Sequence, residues 1–157
     1  MKYWLMKNEP EDYGIDDLKR DKQEPWDGIR NYQVRNMFRD TMQIGDIAFF
    51  YHSNCKIPAI TGLMTIASAA YPDATQFDPK SKYFDSKSDP TNPRWLLVDV
   101  KYKRKLKREI TLKELKENEQ LQDFRLNQRG NRLSVIPVEK KEWDCLLYTS
   151  DAADDLL

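Results

Sequence analysis

Asp46-Ile47-Ala48-Phe49-Phe50-Tyr51-His52-Ser53 is followed, five residues later, by Ala59-Ile60-Thr61-Gly62-Leu63-Met64-Thr65-Ile66-Ala67. Both are apolar runs of strand length, and the link Asn54-Cys55-Lys56-Ile57-Pro58 is loop-like, so the pair reads as a β-hairpin. Working outward, Tyr3–Lys7, Trp95–Tyr102 and Leu133–Val138 read as further strands. Short helices fall between them. Ile15–Lys22 carries Asp16 and Asp17 early and bases late, matching the helix dipole. Asn31–Arg39 places Val34, Met37 and Phe38 at helical spacing behind Asn31 as N-cap. Thr111 and Glu114 have capping-box spacing, and Glu139–Asp144 begins a last helix. Residues 71–93 are rich in Pro, Asp, Ser and Lys but carry Tyr71, Phe77, Tyr83 and Phe84, an aromatic density that predicts an ordered loop. About five mixed strands with short helices predict an α+β fold, a small mixed β-barrel with the helices packed around it.

A chain of 157 residues is one domain by length. No stretch approaches the roughly 18 apolar residues that a membrane span needs. Met1–Lys7 is too short and too soon charged for a signal peptide. Cys55 and Cys145 have neither metal-ligand spacing nor a disulfide framework, which predicts a reducing compartment, the cytoplasm or a eukaryotic nucleus. His52 is the sole histidine, so a His-rich metal centre is excluded, and no cofactor is expected. Formal net charge is zero. With Asp151, Asp154 and Asp155 set aside, 26 basic residues face 23 acidic ones, which permits a nucleic-acid partner without demanding one.

The segment from Cys145 to Asp154 follows a helical run and loses its pattern. It reads as the in-frame translation of a transposon-end sequencing adapter. Residues 145–157 are therefore expected to add nothing to the core, with a domain over 1–144 cut off inside its C-terminal helix.

Several residues carry chemistry. A lone tryptophan is more often core, but Trp26 stands in the polar turn Pro25-Trp26-Asp27-Gly28, which leaves core and pocket wall both open. Tyr51-His52-Ser53-Asn54 ends a strand, where polar groups could read the edge of a base or merely cap a hairpin. No nucleophile elbow surrounds Ser53. Lys7-Asn8-Glu9 could be a polar rim or a surface ion pair. Six bases between Lys101 and Arg108 could contact phosphate or protect a solvated sheet edge.

Taken together, Tyr3-Trp4-Leu5-Met6-Lys7-Asn8-Glu9-Pro10, Trp26 to Asn36, Phe49-Phe50-Tyr51-His52-Ser53-Asn54, Ala70-Tyr71-Pro72-Asp73, Asn92-Pro93-Arg94-Trp95 and Arg129 to Val135 resemble the EVE domain, a branch of the PUA-like superfamily. The resemblance spans residues 3 to about 144. Asn8 stands where the family usually has Ser. The resemblance implies a PUA-like barrel related to YTH domains, and a reader of modified bases in nucleic acid, chiefly cytosine derivatives in DNA. It implies a base pocket drawn from Asn8, Trp26, Asn31, Tyr51, His52 and Ser53, with Lys7, Arg30, Arg35, Arg129 and Arg132 on phosphate or at the rim, although any of the four arginines could instead lock Asp27 or Glu9 structurally. No catalytic residue is implied, and the partner is DNA or RNA carrying a modified base, bound by a monomer. Alternatives from other classes stand beside it. One is a PUA-like amidohydrolase acting on modified nucleosides through Lys, Thr and Glu, for which Lys7 and Glu9 lack a matching threonine. The other is a protein that binds RNA without regard to modification, or that uses the 71–93 loop as a protein contact.

Overall fold

The computed structural model describes residues 1–128 and 131–155, with side chains described through Asp151. The chain runs through β1 (Tyr3–Asn8), α1 (Ile15–Asp21), β2 (Gln23–Pro25), α2 (Tyr32–Asn36) with a wider turn over Met37–Thr41, β3 (Ile47–His52) and β4 (Ala59–Ile66). It continues through β5 (Tyr71–Pro72), a tight turn at Ala74–Phe77, β6 (Leu96–Leu97), β7 (Asp99–Thr111), α3 (Leu112–Glu117), β8 (Val135–Val138) and α4 (Lys140–Asp155). The main sheet has the order β2-β7-β4-β3-β1-β8, and β5 pairs with β6 in a separate ribbon. The α+β class and the β3–β4 hairpin are as expected. The barrel is not closed: the sheet curls into a half-barrel with β2 and β8 at its open edges.

Both faces of this sheet are covered, which is why its central strands read as unbroken apolar runs. Alternation sends Trp4, Met6, Ala48, Phe50, Met64 and Ile66 to one face, under α1 and the 26–42 segment. Leu5, Phe49, Tyr51, Ile60 and Leu63 go to the other, under α3 and α4. Gly62 lets α1 come down onto β4, because a Cβ there would lie 2.6 Å from Ile15 Cδ1.

The expected strand Trp95–Tyr102 is divided. The first part pairs with β5, and from Asp99 the chain crosses to the main sheet and continues through the basic run to Thr111. Val100, Leu106 and Ile110 are buried while Lys101, Lys103, Lys105 and Lys107 are exposed, so the run is an alternating strand with a solvated lysine face. Thr111 Oγ1 accepts from the Glu114 amide at 3.2 Å and Glu114 Oε1 from the Thr111 amide at 3.3 Å, the expected capping box. The 71–93 segment is ordered by buried Gln76, whose Nε2 donates to the carbonyls of Asp73 and Trp95 and whose Oε1 accepts from Ser88 and the Trp95 amide.

The C-terminal helix runs beyond the boundary expected of the domain. α4 does not stop at Asp144 but continues to Asp155, and Leu146 (1% exposed) and Ser150 are buried. Trp143 begins this contact, its ring 4.0 Å from that of Phe49, and Leu146 lies one turn further along the same face. The segment lost its pattern to the eye because its buried residues are few, yet their spacing is helical.

His52 has a structural role that the strand-end reading did not assign. Gly14, the N-cap of α1, has no side chain to offer, and His52 Nε2 accepts from the Ile15 amide at 3.1 Å in its place. That bond needs the neutral ring, and burial lowers the pKa of His52 below its ordinary value. A lowered histidine pKa means the unfolded chain binds the proton more tightly, so its contribution is complete above the ordinary histidine value and is lost as pH falls below that value and through the lowered folded one. Urea titrations between pH 7.5 and 5.5 should therefore show stability falling on acidification, and His52→Gln should flatten that component. A wild-type slope unchanged in the variant would remove His52 as its origin. Separately, Leu146→Ala should cost about 2–5 kcal/mol in the same assay, as for other buried leucines. A loss within a few tenths would return the segment beyond Cys145 to the role of a bystander.

Candidate nucleic-acid interface

The parallel pairing of β1 with β3 brings two strand C-termini to one end of the sheet, with Lys7 beside Tyr51 and Asn8 beside His52. The pairing continues past the strands: the Ser53 amide donates to the Asn8 carbonyl at 3.0 Å, and the Lys7 amide donates to the Ser134 carbonyl at 2.8 Å. β8 is antiparallel to β1, so its entry, Arg132–Ser134, reaches this same end. The Pro25-Trp26-Asp27-Gly28 turn arrives from the β2–β7 pair, anchored by the Trp26 amide on the Val98 carbonyl at 2.9 Å. Between these segments lies a cleft of about 440 Å³, within the size range of small-ligand sites.

Trp26 is both core and wall. It is 4% exposed, and its ring meets Phe50 edge-on at 5.3 Å, yet it lines the cleft together with Ser53. Opposite in character is Tyr83, a second aromatic contributed by the 71–93 loop, which the sequence reading did not assign. Its ring lies on Gly28, where φ is +82° and a Cβ would come within 2.6 Å of the ring, so glycine is required twice over. Asp27 and Lys7 supply the unusual charges. Burial, assisted by neighbouring Asp73, raises the Asp27 carboxyl above its ordinary pKa. Burial draws the Lys7 ammonium down from its ordinary value. The folded chain half-buries this lysine at a strand end.

Lys7, Asn8, Trp26, Arg30, Asn31, Ser53 and Arg132 all meet at this cleft. Several of them also make internal bonds, among them the N-cap expected of Asn31. Asn8 Oδ1 accepts from the Glu9 amide at 2.9 Å, and Asn31 Oδ1 caps α2 through the Val34 amide at 3.0 Å. Arg30 is committed internally. Its Nε and Nη2 donate to the Tyr83 carbonyl, Nη2 to Thr75 Oγ1, and Nη1 to Asp73 Oδ2 and the Ile29 carbonyl. Those bonds use all five guanidinium donors, so the expected phosphate contact has none left. Tyr51 and His52 are outside the cleft: adjacent strand residues point to opposite faces, and these two serve α3 and α1 respectively. Arg35 is also elsewhere, over the Tyr32 ring at 4.8 Å and bonded to Asn36 and the Arg94 carbonyl. Arg129 lies outside the described residues. Asp27 and Tyr83 were missed because one read as turn chemistry and the other as a loop aromatic. The only signal for Tyr83 was the aromatic density of its loop.

Among the described residues no helix is long and apolar enough to cross a membrane, and no group of three His, Cys, Asp or Glu side chains is placed to hold a metal.

The family model for the EVE domain matches residues 2–149, past the point at which the sequence reading ended the domain. The human protein thymocyte nuclear protein 1 is 44% identical over 164 residues, covering 92% of this chain and 72% of that protein. A crystal structure of a Pseudomonas syringae protein aligns with a TM-score of 0.90 at 44% identity, covering 94% of this chain and 99% of that one. The crystal structure of human THYN1 protein in complex with 5-methylcytosine-containing DNA aligns with a TM-score of 0.91 at 42% identity, covering 96% and 98%. With the motifs, the half-barrel and these relatives in agreement, the chain belongs to the EVE domain family and has its PUA-like fold.

Proposed function

We propose that this protein binds DNA and holds one flipped-out, modified cytosine in the cleft beside Trp26, as a monomer and without turnover. The observation that carries the reading is the convergence of an aromatic wall, a desolvated acceptor and strand-end polar groups from separate segments on one opening. The similarity to a protein solved with 5-methylcytosine-containing DNA supports the choice of base. Trp26 and Tyr83 offer aromatic surface, on which stacking contributes roughly 1–3 kcal/mol per base for any base. Asp27 supplies selectivity. A carboxylate accepts from the exocyclic amine of cytosine, whereas thymine and uracil present a carbonyl there. The amidohydrolase alternative needs a threonine with Lys7 and Glu9, and the described lining of the cleft includes none. The site of action is that of the DNA, the nucleus in a eukaryote and the cytoplasm in a bacterium.

The aromatic contribution is best tested with Trp26→Phe, because truncation to alanine would also cost about 3–5 kcal/mol of core packing. The Phe variant should melt close to wild type and lose part of the roughly 1–3 kcal/mol of stacking on methylated DNA, measured by fluorescence anisotropy. Unchanged affinity would remove Trp26 from the site. Asp27 predicts a pH profile. The acceptor is the ionised carboxylate, and burial raises its pKa, so affinity for cytosine-type bases should weaken as pH falls through that raised value. Asp27→Asn keeps a carbonyl acceptor and should lose the acid limb. Binding that is flat with pH in the wild type, and equal for cytosine and thymine derivatives, would refute the assignment. Incubation with N4-acylated cytidine should release no product; turnover would favour the hydrolase.

A further inference from the structure

We infer that a second cleft, adjoining the first across Lys7 and Ser53, receives the phosphodiester next to the flipped nucleotide; this rests on the base-reading function above. The cleft has a volume of about 440 Å³ and lies on the α3 side of the sheet end. Its polar lining includes Lys7, Lys116, Tyr51 and Asn54, and Leu112 and Leu126 give it an apolar floor.

Charge separates the two clefts. Glu9, Asp12 and Asp27 line the first beside Lys7, Arg132 and an Arg30 whose donors are already spent on Asp73, Thr75 and carbonyls, while among the described residues the second has Lys7 and Lys116 and no carboxylate. A phosphodiester carries a full negative charge. It is repelled by the three acids that suit a base with a donor amine, and drawn to the side where two lysines stand without acids. Among the described residues neither Lys7 nor Lys116 has a carboxylate partner. Lys7 is the hinge between the two sites. Its ammonium is partly desolvated, and an anion placed beside it would restore the interaction that burial removed. Tyr51 fits the same chemistry. Burial raises its phenol to about 12, so it stays a protonated donor at neutral pH. The placement also accounts for Tyr51 being turned from the base cleft: Phe50 packs with the Trp26 face, and the next side chain must face α3. A strand whose base enters the first cleft then has its backbone at the shared Lys7–Ser53 wall, with the sugar against Leu112 and Leu126.

The test compares 5-methyl-2′-deoxycytidine, its 3′- and 5′-monophosphates, inorganic phosphate, and methylated and unmethylated DNA oligonucleotides on the full chain. The variants are Lys116→Gln and, as a control on the same helix, Lys113→Gln, which is exposed and does not line the cleft. Lys116→Gln should leave nucleoside affinity unchanged and weaken the oligonucleotide severalfold. It should also reduce the slope of log K against log salt by about 0.7–0.9, the value for one lost phosphate contact, while Lys113→Gln changes neither. One of the monophosphates should bind more tightly than the nucleoside, and inorganic phosphate should compete weakly. If Lys116→Gln behaves like Lys113→Gln, the cleft is not a phosphate site. If inorganic phosphate competes as well as the monophosphates, it is a general anion site and not the seat of a strand. The ratio of methylated to unmethylated affinity reports separately on the base cleft. A ratio of one with a reduced salt slope in Lys116→Gln would refute the base reading and keep the phosphate cleft. A preserved ratio with an unchanged slope would do the reverse, and no binding of any oligonucleotide would end both.

Discussion

The base cleft depends on an ion pair at its wall, between a buried aspartate and a half-buried arginine. Arg30 and Asp73 meet at 3.1 Å, with Asp73 almost wholly buried. Burial works to raise the pKa of that carboxyl, but hydrogen bonds from Thr75, the Gly28 amide and Arg30 outweigh it and hold the group ionised. Through these two side chains the Trp26–Asn31 turn is tied to the 73–83 segment, which places Tyr83 over Gly28. Removing one partner of such a pair typically costs about 3–5 kcal/mol, because the other is left buried and uncompensated. The partial exposure of Arg30 puts this pair toward the lower end. The energy is less important than the geometry it enforces: the turn and the 73–83 segment are fastened into one wall.

Much of the fold was legible because both faces of the sheet are covered. Runs such as Trp4-Leu5-Met6 and Ala48-Phe49-Phe50-Tyr51 have no polar side to lose, so their lengths and the loop between β3 and β4 identified them as strands. What local pattern could not supply was order in the sheet. The β1–β3 pairing joins residues more than forty positions apart and is parallel, and no turn chemistry announces such a pairing. The length of β7 was concealed for a different reason. Its lysine-rich half could be read as a phosphate stripe or as a solvated sheet edge, and the burial of Val100, Leu106 and Ile110 decides for the strand.

The site was legible in part, and the errors have one cause. Neighbouring residues in a motif were assigned a shared purpose, but a strand separates them. Tyr51 and His52 could not both face one cleft, and the alternation that assigns them to opposite faces was available from the sequence. Arg30 illustrates the limit in the other direction. Nothing in the motif distinguishes an arginine waiting for phosphate from one whose five donors are consumed by Asp73, Thr75 and two carbonyls. That distinction needs the 71–93 loop folded into place, and its contacts with the turn are long-range.

The division of charge at the end of the sheet follows from the same topology. The parallel ends of β1 and β3 form a low ridge, and each side of the ridge is closed by a different element, the Trp26 turn on one and α3 with the residues after it on the other. Acids enter from the first side through Asp12 and Asp27, whereas α3 brings Lys116 from the second. Lys7 and Ser53 belong to the ridge and so to both sides. A substitution at Lys7 would therefore alter base and backbone binding together and could not separate them. Lys116 and Asp27, each confined to one side, can.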